Sequence, residues 1–334
     1  IIRTNGKTWS KSYWNRSSKK KYRSSKTTFK NKQAKHKILQ FFSPILEFMA
    51  PIMPGETFPG YFETELFQKA LISAILVTII AGLMGSFLLI RNLALIGDGL
   101  AHVSFGGIAV AIVIGSSYPL LWALLFSTIA AILIYELQAR ELLTGDASIA
   151  IFLTGMLALG LVILRVLGRG VTQDVESYLW GSLNLITTFS LGLITIVSIT
   201  VIISLIFIHP ILLASTIDPL AARVQGLPVR EVGLLFSILT AGVVVSMVQI
   251  VGALLVTALL VTPAATSQFV GKSFRSCIIW TQIFGLTSVI LGIYISAELE
   301  VGSGAVIALV AAIIFGVVAT FQIVLKSRQV QLDS

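Results

Sequence analysis

The sequence predicts an all-α fold, a polytopic bundle of eight or nine membrane-spanning helices. Three observations carry that prediction. Of the 334 residues, 56% are hydrophobic and only 12% are charged, and the mean hydropathy is +0.93, a balance that a water-soluble domain with an ordinary charged surface does not reach. From Lys69 onward the chain is dominated by charge-free runs long enough to cross about 30 Å of hydrocarbon, which takes roughly 20 residues. Small residues recur four apart within these runs, Gly82 with Ser86 and Gly107 with Ala111 and Gly115. That spacing lets membrane helices bring their backbones together.

Residues 1–37 hold 13 of the 24 Lys and Arg and none of the 15 Asp and Glu, so the net charge of +9 arises there and the remainder is mildly acidic. Basic, Ser- and Asn-rich and without apolar periodicity, this stretch reads as a disordered arm. Trp14 and Tyr22 within it leave RNA or anionic lipid open as ligands, and a plain solvated tail is the simpler reading. With the first methionines at Met49 and Met53, a non-native arm is a third reading. Residues 38–62 are apolar but interrupted by Pro44, Pro51, Pro54 and Pro59, each of which removes a helix hydrogen bond. Residues 1–60 are therefore expected to be arm and linker, 61–328 the membrane domain and 329–334 a short cytoplasmic tail.

Spans are expected at about 66–90, 99–116, 119–138, 147–168, 189–208, 232–248, 250–267, 276–297 and 303–325. The uncharged run 232–271 would measure about 60 Å as one helix, so two passes are expected, turning near Gly252. Arg91, Arg140, Arg223, Arg230, Lys272, Arg275, Lys326 and Arg328 fall in alternate loops, which the positive-inside rule makes cytoplasmic. Arg165 and Arg169 are exceptions. Nine passes would put the basic N-terminus outside, a conflict that a start near Met49 or Met53 removes.

Residues 91–107, RNLALIGDGLAHVSFGG, place Asp98 and His102 four apart inside lipid-compatible sequence. They share one helix face. Burying such groups unpaired costs several kcal/mol, so an intramembrane ionisable pair points to function. Carboxylate and imidazole suit a borderline divalent metal such as Zn²⁺, Mn²⁺ or Fe²⁺, and a two-ligand site binds weakly, as a conduction path needs. Against this stands a neutral Asp–His pair that only closes helix packing. Gly97 and Gly99 would permit a broken helix lining a cavity.

A second constellation, Asp218-Pro219 through Ala222-Arg223 to Gly226-Leu227-Pro228, spells a short capped helix: Asp at the N-cap, Pro at the first position, Gly past the end. It reads either as a connector or as a docking knob for a partner that supplies energy. A third, Asp174, Glu176, Tyr178 and Trp180 with Glu298 and Glu300, reads either as solvated loop charge or as an acidic pore mouth that concentrates cations. His209, before Pro210, reads as interfacial. Cys277 is the only cysteine, which excludes an internal disulfide. Gly271-Lys272-Ser273 lacks the glycine that a phosphate-binding loop needs, Thr266 standing there instead, and no H-E-x-x-H or G-x-S-x-G occurs. An enzyme, and a nucleotide site in this chain, are therefore not expected.

The run from Leu89 through Arg91, Gly97-Asp98-Gly99 and His102 to Gly106 resembles the signature of membrane permeases of ABC-type zinc, manganese and iron importers. The resemblance recurs at Asp146–Ile151, Ser177–Ser182, Asp218–Pro228, Leu259–Thr266 and Glu300 with Gly304-Ala305. It covers about 66–325. It implies a homo- or heterodimeric permease in the cytoplasmic membrane of a prokaryote, two cytoplasmic ATP-binding subunits and an extracytoplasmic metal-binding protein, with no nucleic-acid partner. No cofactor is held permanently; the metal is substrate and ATP belongs to the partner. The family's intramembrane Asp and His fall on Asp98 and His102, and its ATPase-coupling segment on Asp218, Pro219, Ala222, Arg223, Gly226 and Pro228; Asp174, Glu176, Tyr178 and Glu300 are the candidates for an extracellular gate or docking region. Glu300 stands where the family usually has Asp, and Gly302 where it usually has Pro. Permeases for iron chelates or cobalamin share the coupling logic, but their large ligands want a wide neutral path. A carrier driven by an ion gradient is the alternative from another class.

Overall fold

The computed structural model describes residues 37–49, 55, 58–167, 173–182 and 186–332; most of the basic arm lies outside them. Every element is a helix: α1 (Lys37–Met49), α2 (Phe58–Phe62), α3 (Glu65–Ile90), α4 (Ile96–Ile114), α5 (Pro119–Ala139), α6 (Gly145–Val166), α7 (Gln173–Trp180), α8 (Thr188–Ile217), α9 (Pro219–Val224), α10 (Val229–Val251), α11 (Val256–Leu260), α12 (Thr262–Val270), α13 (Phe274–Leu299) and α14 (Ser303–Leu332).

Eight of these, α3, α4, α5, α6, α8, α10, α13 and α14, are long and apolar enough to cross a membrane. They form two layers. α3, α4 and α10 are mostly enclosed by the rest of the chain, while α5, α6, α8, α13 and α14 leave two thirds or more of their apolar windows uncovered. An inner trio apolar on every side and an outer ring with a bare apolar face is what a lipid-solvated bundle requires. Many hydroxyl groups inside the spans return to their own helix, as Thr78 does to the Ala74 carbonyl at 2.6 Å and Thr240 to Phe236 at 2.8 Å. The Ser104 and Ser127 hydroxyls also join each other at 2.8 Å, tying α4 to α5.

The expected pass over 250–267 is the one that departs. α10 ends at Val251, Gly252 takes φ 89° and ψ 156°, and the return consists of α11 and α12, five and nine residues long. Gly252 follows Val251, whose carbonyl packs on Gly304 at the start of α14, whereas Gly271 packs beside Cys277 at the start of α13. α13 and α14 are consecutive long helices joined by a tight turn, so those two glycines lie at opposite ends of the bundle. The segment therefore returns across it as a broken piece, shorter than the roughly 20 residues of a full helical span. The turn at Gly252 fell where the sequence put it.

The Pro-rich region holds α1, with Pro44 inside it, and α2. Phe58 of α2 sets its ring edge-on to Phe62, Phe67 and Tyr294, and its amide donates to the Glu298 carboxylate at 3.0 Å.

Candidate metal centre

Asp98 and His102 lie one turn apart on α4, with Asp98 in its first turn. There a carboxylate complements the positive end of the helix dipole. α4 is continuous through Gly97 and Gly99, so these glycines do not break it. They admit neighbours: a β-carbon on Gly97 would lie 2.9 Å from Leu260, and one on Gly99 2.7 Å from Ile149. α11 and α6 thus close on α4 from two sides beside Asp98. The broken helix is the neighbour, α11–α12, rather than α4 itself.

Thr257, the second residue of α11, donates its hydroxyl to the Asp98 carboxylate. Asp98 and Thr257 are half-buried. His102 is only 8% exposed and its Nδ1 has no hydrogen-bond partner among the described residues, a situation that costs about 1–3 kcal/mol unless something binds there. No third His, Cys, Asp or Glu joins the pair among the described residues. The sequence singled out Asp98 and His102 and passed over Thr257, whose neutral side chain in an apolar run carries no local signal.

The short capped helix is present as α9. The Asp218 carboxylate accepts from the Leu220 and Ala221 amides at 3.0 and 2.9 Å, Pro219 opens the helix, and Gly226 follows it at φ 75°. Its outward face carries Leu220, Arg223 and Val224, all exposed, while Ala222 is buried against the bundle. A groove of about 380 Å³ beside α9 is lined by Arg91, Asn92, Tyr135 and Arg223, and a second cavity, sharing Tyr135 and Arg223 with it, adds Arg140 and Arg230. Four arginines assigned to one side of the membrane therefore meet at one end of the bundle. Glu136 binds two of them, Arg230 at 2.8 Å and Arg140 at 3.1 Å. Arg91 is held by the Thr216 and Ser215 hydroxyls, both at 3.1 Å, with its guanidinium 5.1 Å over the Phe236 ring. Burial pulls the Arg91 pKa below its ordinary value. His209 packs between the Phe87 and Phe274 rings.

At the opposite end, α7 runs back against the α10–α11 turn. The Ala253 and Leu254 amides donate to the Tyr178 and Leu179 carbonyls at 3.0 and 3.2 Å, and the Ser182 amide donates to Gln249 at 3.2 Å. Gly304 packs on the Trp180 carbonyl. Tyr178 is thus buried in this crossing, while Glu300, exposed, closes the α13–α14 turn in the left-handed conformation at φ 55°. Asp174 and Glu176 lie on α7, and their side chains fall outside the described residues.

A many-span helical bundle with an acid–imidazole pair inside it and a broken span against that pair is the architecture of a membrane permease. The chain belongs to the ABC 3 transport family, which it matches over residues 63–322. It is similar to the manganese transport system membrane protein MntC of Halalkalibacterium halodurans, 34% identical over 76% of this chain and 86% of that protein. It is also similar to the high-affinity zinc uptake system membrane protein ZnuB of Haemophilus influenzae, 30% identical over 75% and 95%. Among solved structures, PsaBC from Streptococcus pneumoniae in complex with Fab aligns with a TM-score of 0.69 at 30% identity, covering 78% of this chain and 94% of that one. The chain is a metal ABC transporter permease.

Proposed function

We propose that this chain is the permease subunit of an ATP-driven importer of divalent transition-metal ions, Mn²⁺ or Zn²⁺ before Fe²⁺. The observation that carries the reading is the buried His102 nitrogen without a partner, one turn from the half-buried Asp98, in a chain whose relatives are named for manganese and zinc transport. Imidazole and carboxylate together bind these ions.

Two permease chains enclose the path. A half-exposed carboxylate inside a span is not left facing lipid, so the surface where Asp98 and Thr257 emerge, between α6 and α11, is covered by a second copy. α6, the least enclosed span, supplies the flank of that contact. Two ATP-binding subunits dock on α9, where Leu220 and Val224 project past the arginine cluster into the cytosol. ATP binding and hydrolysis there rock the two chains between outward and inward access, and an extracytoplasmic metal-binding protein delivers the ion near Glu300 and α7. With the arginine end inside, the protein sits in the cytoplasmic membrane of a prokaryote.

Reconstitution of the permease with its ATP-binding subunit tests this. ⁵⁴Mn²⁺ or ⁶⁵Zn²⁺ should accumulate in proteoliposomes only with ATP on the subunit side. Accumulation driven by an ion gradient without ATP would make the chain a secondary carrier and overturn the proposal.

A further inference from the structure

We infer that Thr257 is the third group of the ion site, a hydroxyl that holds the Asp98 carboxylate while the site is empty and biases it toward Mn²⁺ over Zn²⁺ once an ion enters. The inference rests on the Asp98–His102 reading above and adds a residue to it.

The contact is a built one. Thr257 reaches Asp98 from 159 residues away, which requires three local features. The chain leaves α10 at Gly252 in a backbone conformation only glycine adopts readily. It then starts a fresh helix at Val256, placing Thr257 in its first turn. Gly97, lacking a β-carbon, leaves the Thr257 hydroxyl and the Leu260 side chain room against α4. Thr257, like Asp98, is half-buried. Most other hydroxyls in these spans bond back to a carbonyl three or four residues earlier on their own helix; the Thr257 hydroxyl bonds to Asp98.

The chemistry follows from donor type. With no third His, Cys, Asp or Glu within reach among the described residues, an ion held by Asp98 and His102 has one oxygen and one nitrogen from this chain. The Thr257 oxygen carries lone pairs and stands beside the carboxylate it donates to. When a cation takes the carboxylate, the hydroxyl either keeps that hydrogen bond, fixing which carboxylate oxygen faces the ion, or turns its oxygen to the ion. The first orients the carboxylate; the second adds an oxygen ligand, which suits Mn²⁺, whereas imidazole suits Zn²⁺. Partners that orient a metal ligand are worth about 10- to 100-fold in affinity.

The test is equilibrium binding of ⁵⁴Mn²⁺ and of ⁶⁵Zn²⁺, each alone, to the purified permease–ATPase complex in nanodiscs. Thr257→Val keeps shape and removes the hydroxyl; it should weaken Mn²⁺ binding about tenfold and Zn²⁺ binding less, so the Mn²⁺/Zn²⁺ preference falls. Thr257→Ser should restore both. An unchanged preference in Thr257→Val, or a loss in Thr257→Ser as large as in Thr257→Val, overturns the inference. Thr257→Ala replaces the valine variant if the latter does not assemble. Asp98→Ala in the same assay separates the two claims: normal binding there overturns the ion site itself, while lost binding there with a silent Thr257→Val overturns only the role of Thr257.

Discussion

Gly181, just past α7, and Gly252, just past α10, meet backbone against backbone: a β-carbon on Gly181 would lie 2.6 Å from the Gly252 amide nitrogen and 2.5 Å from the Val251 carbonyl carbon. Both have positive φ, 77° and 89°. The crossing is where the outer segment, the end of α10 and the start of α14 are held together, and the broken return toward Asp98 begins four residues later, at Val256.

Gly252→Ala should therefore be severely destabilising. Its conformation costs a non-glycine residue about 1–3 kcal/mol, and the clash is with backbone, which cannot swing aside. Thermal unfolding of the purified protein should show a large drop, or no folded protein at all. Gly316→Ala, with nothing within 4 Å of its added carbon, should unfold like the parent.

The proposed contact between two copies makes a second contrast. Gly155 on α6 and Gly316 on α14 are both exposed with open space around them. Gly155→Leu should push two copies apart and lower the dimer fraction seen by light scattering in detergent, whereas Gly316→Leu should not. Equal behaviour of the two would remove α6 from the interface.

On α9 the exposed and buried residues separate docking from folding. Arg223→Glu changes a solvent-facing charge, so the permease should fold normally and lose ATP-binding subunit in co-purification. Ala222→Asp buries a carboxylate against the bundle and should fail earlier, in yield. Asp218→Ala removes a cap worth about 1 kcal/mol and should weaken coupling without abolishing it, read as ATP hydrolysed per ion transported.

Much of this architecture is legible in the sequence because lipid imposes one rule on every span: about twenty apolar residues with the charges at the ends. That rule places α3, α4, α5, α6, α8, α10, α13 and α14. It fails at 250–267, where Val256–Val270 is apolar but short and is interrupted between Leu260 and Thr262; apolarity reports what surrounds a segment, not whether its helix is continuous. The same blindness assigned the break to Gly97 and Gly99, which serve close packing instead. Asp98 and His102 stand out because charge in lipid is costly. Thr257 does not, because a threonine in a helix ordinarily satisfies itself. Ala222 shows the limit of a motif: the capped helix is visible in its spacing, but which of its faces turns inward is decided by α8 and α10.

Asp98 and His102 remain the centre of the account, and ion flux through them is its most direct measure. ATP-dependent ⁵⁴Mn²⁺ uptake should fall to background in proteoliposomes carrying Asp98→Ala with His102→Ala, while the ATP-binding subunit still co-purifies in full amount. Uptake at the parent rate in that variant would contradict the account.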